Sequence, residues 1–355
     1  MNQKVKKILT NSPWTPIFVL LFLLVISLAL LLNQKDQNLN IFASFAKTKI
    51  EGDSIKVEVS LSPPDKKPLE EFVKGLGFSW SGEDFLIKLD KQSVQEIKDY
   101  DLLQIGFKPT VKTFHFGGLI KKQIGSDQLL WKYAKLIPSE AFVYLEGENL
   151  TKFIDLPGLN VFSAGSTYQA LLVEFSEEVN FALISELNSK EKFAEEIYKL
   201  SELPKKGEKQ VRTEGASTGY TKGVIENTEA HTLTVPGSNL SPTYSVYDEN
   251  IVLSSRPDFF KKIIIDIKKE NVLPNNNIFK DIIINLPTKG TFAMFVNFKQ
   301  LKEISSGDLE KYLDPYVAIS FNERFDNVLS ILKKSEAVGL TVNENGYFEG
   351  FYIVP

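Results

Sequence analysis

Gly215-Ala216-Ser217-Thr218-Gly219 spells the G-x-S-x-G pattern that lifts a serine hydroxyl onto a tight strand-to-helix turn for acyl transfer. His231 lies downstream, with Glu226 and Glu229 between, so a serine hydrolase with Ser217 as nucleophile and His231 as base is the catalytic reading these residues spell out. The context fits it poorly. A nucleophile elbow needs a buried strand before the serine and a helix after it. Here Gln210-Val211-Arg212-Thr213-Glu214 is polar, and Tyr220-Thr221-Lys222-Gly223 does not open a helix. S-x-x-K occurs at Ser44–Lys47, Ser189–Lys192 and Ser330–Lys333, which is what a chain rich in Ser and Lys gives by chance, and the companion K-T-G is missing.

Other chemistry is sparser still. His115 and His231 are the only histidines, and neither has a second histidine at ligand spacing. His115 alternates with Phe114 and Phe116, which places it on the solvent side of a strand. There is no calcium loop, no Walker A pattern and no G-x-G-x-x-G, so neither a metal nor a nucleotide cofactor is expected. The chain has no cysteine, which excludes disulfides and thiolate chemistry and fits a bacterial envelope better than an oxidising eukaryotic secretory route. The acid pairs Glu70-Glu71, Glu177-Glu178 and Glu195-Glu196 fall on expected exposed faces or turns, where acid and base roles cannot be separated by environment. Asn149-Leu150-Thr151 and Asn239-Leu240-Ser241 are sequons with meaning only in a eukaryotic host.

The clearest physical signal lies near the N-terminus. Residues 17–32 carry no charge, and fourteen of these sixteen are Leu, Ile, Val or Phe. Extended back to Trp14 the run gives a helix of roughly 28 Å, a match to a hydrocarbon core of about 30 Å, and insertion should be favourable by about 6 kcal/mol. Ser12 can cap it, Pro13 fits its first turn, and Trp14 sits where an interfacial aromatic belongs. Ile17, Phe18, Leu20, Leu24, Leu28 and Leu32 are the residues expected to meet lipid. Lys4, Lys6 and Lys7 precede the run, whereas Lys35 and Asp36 cancel beyond it, so the positive-inside bias sets residues 1–12 in the cytoplasm and the body outside. The run is longer than a signal-peptide core, and no small-x-small site follows it directly, so retention is expected over cleavage. Net charge is −4 for the whole chain, and these three lysines leave the remainder at −7, which argues against nucleic acid as a partner.

The elements beyond the expected membrane helix at 13–33 read as α+β. After a polar spacer at 34–46, residues 47–118 suggest a small β-α-β-α-β module. It has a strand through Ile55, Val57, Val59 and Leu61, a helix through Leu69, Phe72, Val73 and Leu76, and a strand at 85–89. A short helix at 93–100 and an alternating stretch over 104–116 broken at Pro109 complete it. Residues 119–355 suggest a larger α+β domain with an internal duplication. Leu129-Leu130, Tyr133-Ala134, Leu136-Ile137-Pro138 and the strand 142–145 match Ile278-Phe279, Ile282-Ile283, Leu286-Pro287 and the strand 292–296, about 149 residues on. In both, a short helix halted by proline leads to a buried strand, and a hairpin follows. The second hairpin turns at Asn343-Glu344-Asn345-Gly346, the strongest turn signal in the chain. A helix at 190–200, a polar loop around 204–207, strands to about 255 with a turn at Asp248-Glu249-Asn250, and a helix at 257–267 lie between.

Three stretches also carry a resemblance. Leu136-Ile137-Pro138 with its strand and Leu150, Tyr247-Asp248-Glu249-Asn250-Ile251-Val252-Leu253-Ser254-Ser255 leading into a helix, and Asn277-Ile278-Phe279-Lys280 leading to Leu286-Pro287 are similar to an uncharacterised bacterial envelope family, the domain of unknown function numbered thirty-three fifty-two. The likeness covers about residues 130–355 and implies an N-terminally anchored envelope protein, with no activity and no catalytic residue to carry over. The expectation is a non-catalytic, membrane-tethered extracytoplasmic binding or scaffold protein of the bacterial envelope. Its contacts would be with membrane lipid through residues 13–33 and with an envelope protein, peptide or glycan.

Overall fold

The computed structural model describes residues 44–51, 54–75, 85–88, 104–119, 126–154, 156, 158–175, 179–207, 219–234, 240–302 and 333–355. The expected membrane helix at 13–33, its lysine flank and the expected helix at 93–100 lie outside the described residues. Among the described residues, no helix is long and apolar enough to cross a membrane. These residues are mixed α and β, mostly strand, in two compact units: Trp131–Phe279 forms one, and the described residues up to Leu130 together with Lys280–Pro355 form the other. The strand pairings within each unit are antiparallel.

The chain enters through β1 (Ser44–Glu51), which pairs with β2 (Ser54–Ser60) from Phe45↔Ser60 to Glu51↔Ser54. The last three residues assigned to the spacer, 44–46, are therefore already strand. Helix α1 (Pro63–Gly75) follows, starting on the Pro63-Pro64 pair, because a proline in the first turn has no intrahelical N–H to lose. Ser62 Oγ and Ser44 Oγ both donate to Asp65 Oδ2 at 2.6 Å, which fixes that start onto β1. β3 (Phe85–Lys88) adds to β2, and β4 (Gln104–Pro109) adds to the other edge of β1 before turning through Thr110 into β5 (Thr113–Leu119). The buried Phe72 of α1 stacks on Phe114 of β5 at 5.3 Å, and Phe107 of β4 stacks on the same ring. The short β6 (Gln128–Leu129) ends this stretch.

In the Trp131–Phe279 unit, the expected amphipathic helix at 129–136 shrinks to a single 3-10 turn, Ala134–Leu136. Trp131 adopts φ +64°, a left-handed conformation that no α-helix admits. β7 (Val143–Glu148), β8 (Gly165–Phe175) and β9 (Val179–Leu187) then form a meander. α2 (Lys190–Gly207) buries Phe193, Ile197 and Leu200 along one stripe, the 3.6-residue spacing of an amphipathic helix. It runs through Pro204 where a polar loop was expected, since a proline near a helix end forfeits only one backbone bond. β10 (Gly219–Ile225), β11 (Thr228–Thr234), β12 (Thr243–Tyr247) and β13 (Asn250–Ser254) follow, and β13 returns to β9. The two hairpins turn at Glu226-Asn227 and Asp248-Glu249, where all four residues have positive φ, the twist-matched geometry of tight hairpins. The order is β10-β11-β12-β13-β9-β8-β7. α3 (Pro257–Lys268) buries Phe259, Phe260, Ile263 and Ile264.

Beyond α4 (Asn277–Ile283), the chain completes the other unit with β14 (Lys289–Gly290), β15 (Phe292–Asn297), β16 (Ala337–Val342) and β17 (Tyr347–Ile353). β14 pairs with β6, β15-β16-β17 form a second meander, and β17 pairs with β5 from Tyr347↔Leu119 to Ile353↔Thr113. Residues 47–118 are thus not bounded as a module of their own: β5 is flanked by β4 on one side and the C-terminal strand on the other. The order is β15-β16-β17-β5-β4-β1-β2-β3. Gly350 lies opposite Phe116, whose ring takes the space a Cβ would need, and Gly339 faces Ile282 and Leu286. The strands of the two units follow a related order of neighbours. In each, a meander (β7-β8-β9 or β15-β16-β17) offers its third strand to the second strand of a hairpin (β12-β13 or β4-β5); beyond the hairpin lie β11 and β10 in one unit and β1, β2 and β3 in the other. The first strand of each meander is followed by a 3-10 turn, Leu150–Phe153 and Phe298–Lys302.

Candidate functional site

Alternation across the Glu226-Asn227 turn puts Tyr220, Lys222 and Val224 of β10 on one face with Leu233, His231 and Glu229 of β11, through the pairs Tyr220↔Leu233, Lys222↔His231 and Val224↔Glu229. On that face four polar side chains join into one array. Tyr220 Oη lies 2.7 Å from His231 Nδ1, His231 Nε2 lies 3.1 Å from Glu229 Oε1, and Lys222 Nζ lies 2.9 Å from Glu229 Oε2. Phe193 of α2 meets the imidazole edge-on at 6.5 Å and helps bury it.

Burial lowers the His231 imidazole below its ordinary 6.5, outweighing the attraction of Glu229. A neutral ring offers one donor and one acceptor, and the array supplies the complement of each. Nε2–H donates to the Glu229 carboxylate, and Nδ1 accepts from the Tyr220 hydroxyl. That hydroxyl stays protonated, because burial raises the phenol. Glu229 is held below the usual carboxylate range, chiefly by the hydrogen bond from Lys222. A tyrosine or serine nucleophile needs a lowered pKa or a base with a free lone pair. Here the phenol is raised and both imidazole nitrogens are engaged. The arrangement orders a polar patch along β10.

Among the described residues, β10 stands at the end of the strand order, paired with β11. Thr221, Lys222, Gly223 and Val224 are exposed in succession, Val224 at 72%. Among the described residues, nothing would lie within 4 Å of a Cβ built on Gly223. Such a strand carries a row of main-chain donors and acceptors along its outer edge.

Two buried carboxylates elsewhere in this unit hold the scaffold. Glu146 of β7 is fully buried. Its Oε1 accepts from Tyr133 N at 2.7 Å and from Tyr144 Oη, and its Oε2 accepts from Tyr168 Oη at 3.0 Å and Lys132 N at 3.2 Å. Burial still raises its pKa above the ordinary 4.5 despite these four donors. Tyr133 Oη continues the network by donating to Tyr168 O and accepting from Glu186 N. Glu174 of β8 is bridged by Lys262 Nζ at 2.8 Å, and the same ammonium binds Asp266 at 3.0 Å one turn further along α3.

Of the residues with chemical promise in the sequence, Ser217 and Ser330 lie outside the described residues, as do Trp14, Ile17, Phe18, Leu20, Leu24, Leu28, Leu32, Lys4, Lys6 and Lys7. Gly219, the last glycine of the G-x-S-x-G pattern, opens strand β10 and not a helix. Ser44 secures Asp65, and Ser189 Oγ accepts from Lys192 N at 3.2 Å at the start of α2, so both S-x-x-K serines among the described residues serve local structure. His115 is half-buried on β5, with Nε2 3.9 Å from Glu349. Glu195 and Glu196 share Lys199 at 2.7 Å each. Among the described residues no group of three His, Asp or Glu could hold a metal ion. Glu229 stands close to His231 in the sequence, whereas the approach of Tyr220 and Lys222 shows only through period-2 alternation across the Glu226-Asn227 turn. Glu146, a lone acid at the end of the apolar run 142–145, carries a signal of its own. No family model matches the chain, and no curated protein or solved structure matches it.

Proposed function

We propose that this chain is a non-catalytic binding or scaffold protein of the bacterial envelope, tethered through residues 13–33 with its body outside, and that it engages an extended segment of an envelope partner along the outer edge of β10. The observation that carries the binding mode is the end position of β10 among the described strands, with four consecutive exposed residues, Val224 among them. An added strand would take its affinity from main-chain hydrogen bonds and its selectivity from side chains placed beside Val224 and Lys222. Lys222 disfavours pairing of the edge with a second copy of itself, because antiparallel self-pairing centred there sets lysine against lysine. The tether rests on the uncharged run from Ile17 to Leu32 and on Lys4, Lys6 and Lys7.

The likeness of the two meanders, β7-β8-β9 and β15-β16-β17, each with its first strand followed by a 3-10 turn, supports the internal duplication within residues 119–355. The similarity to the envelope family named above belongs to the same proposal and rests on the same three stretches.

Photo-crosslinking in intact cells tests the binding mode. A crosslinker at Val224 should give a discrete adduct that the same group at Ile284, also strongly exposed, does not give. Equal adducts from both positions, or none from Val224, would overturn it. The Ser217–His231 hydrolase is separated by a fluorophosphonate probe, which on the proposed reading leaves Ser217 unlabelled.

A further inference from the structure

Asn345-Gly346 is the single Asn-Gly dipeptide in the chain, and the fold displays it at the tip of the hairpin between β16 and β17. Asn345 is exposed, and Gly346 sits at φ +76°, a conformation that favours glycine. With no side chain on the following residue, the Gly346 amide nitrogen can approach the Asn345 side-chain carbon without steric hindrance. The turn hangs on Asn343. Its Oδ1 accepts from Asn345 N at 3.0 Å and from Tyr347 N at 2.9 Å, while its carbonyl accepts from Gly346 N at 2.9 Å.

We infer that Asn345 is a site of spontaneous deamidation that breaks this turn from within. The Gly346 nitrogen loses its proton and bonds to Asn345 Cγ, and the Cγ–Nδ2 bond breaks to release ammonia and leave a cyclic imide. Water then adds to one of the two imide carbonyls. Opening at one side gives aspartate. Opening at the other gives isoaspartate, in which the main chain runs through the former side chain and gains one methylene. The aspartate product keeps the backbone path. The isoaspartate product moves Gly346 and Tyr347 relative to Asn343, so the pair of bonds held by Asn343 Oδ1 cannot both persist. The attacking N–H is held by Asn343 O, and the turn must open locally before reaction. Conversion in the folded chain is therefore slower than in a free peptide of the same sequence, and it accelerates with pH because the attacking amide must deprotonate.

The full-length chain and the synthetic peptide 342–348 are incubated together at mildly alkaline pH and followed by peptide mapping, with isoaspartate scored by a protein isoaspartate methyltransferase. The expected result is conversion at Asn345, slower than in the peptide, absent in Asn345→Gln, and accompanied by faster amide exchange at Tyr347 in the isoaspartate fraction. An intact Asn345 after the peptide has fully converted would overturn the site. Isoaspartate formation with unchanged exchange at Tyr347 would overturn its effect on the turn.

Discussion

Glu146 gives the sharpest test of the scaffold around β7. Each of its oxygens accepts one backbone N–H, Oε1 from Tyr133 and Oε2 from Lys132. In Glu146→Gln one oxygen becomes an NH2 group, and whichever way the amide is turned, that group faces a backbone donor. The tyrosine hydroxyls can rotate to accept, but a backbone N–H cannot. One buried amide is left unpaired at about 1–3 kcal/mol, and relief from burying a charge offsets part of this. The net loss should be about 2 kcal/mol, or roughly 30-fold in the folded-to-unfolded ratio. Glu146→Leu strands both amides and both phenols and should cost about 3–5 kcal/mol. Burial raises the folded pKa of this carboxyl, so its contribution is complete below the ordinary value of 4.5 and is lost as pH rises through the raised folded value. The glutamine penalty should accordingly be larger in acid than at neutral pH. Urea unfolding of the full-length chain in detergent reads the effect, with Trp14 and Trp80 replaced by Phe so that Trp131, beside Tyr144 at 6.0 Å, is the sole reporter. The midpoint should fall with an unchanged slope. A glutamine variant as stable as the parent, or a leucine variant costing less than glutamine, would refute the reasoning.

Other substitutions probe the remaining contacts. Lys262→Met removes the cation between Glu174 and Asp266 and should cost about 1–2 kcal/mol in the same unfolding measurement, discounted because the lysine is 40% exposed. Gly339→Ala sets a Cβ 2.1 Å from Ile282 Cγ2 and 2.8 Å from Leu286 Cδ1, an overpacking that should lower the thermal midpoint by the equivalent of about 1–3 kcal/mol. His231 is lowered in the folded chain, so its contribution to stability is complete above its ordinary 6.5 and is lost as pH falls toward the lowered folded value. Replacing it by Gln should flatten the pH dependence of unfolding in that window, and an NMR titration should find the wild-type ring more than half neutral at pH 6.5.

Much of the strand inventory was legible because alternation is local. β2, β12, β13, β15, β16 and β17 fall where apolar residues alternate or run between turn signals; Asp248-Glu249 marks the turn from β12 to β13, and Asn345-Gly346 the turn from β16 to β17. Partnership was not legible, because a strand's second neighbour can be any distance away along the chain. Nothing near Thr113 indicates that β5 pairs with Ile353, and so residues 47–118 read as a module of their own. Trp131 misled for a different reason: its left-handed backbone breaks a helical pattern that its neighbours otherwise support. The array around His231 joins residues eleven positions apart or fewer, but it depends on a hairpin turn made by Glu226 and Asn227, two residues with no glycine to announce it.

The tether and its orientation form the central claim, and the absence of cysteine makes them directly measurable. Single variants Gln3→Cys and Ile284→Cys can be exposed to a membrane-impermeant maleimide in intact cells and again after permeabilisation, with membranes washed in alkaline carbonate. The account predicts that the Ile284→Cys chain is labelled in intact cells, that the Gln3→Cys chain is labelled only after permeabilisation, and that both stay with the membrane. Labelling of Ile284→Cys only after permeabilisation, or release of the chain by carbonate, would contradict it.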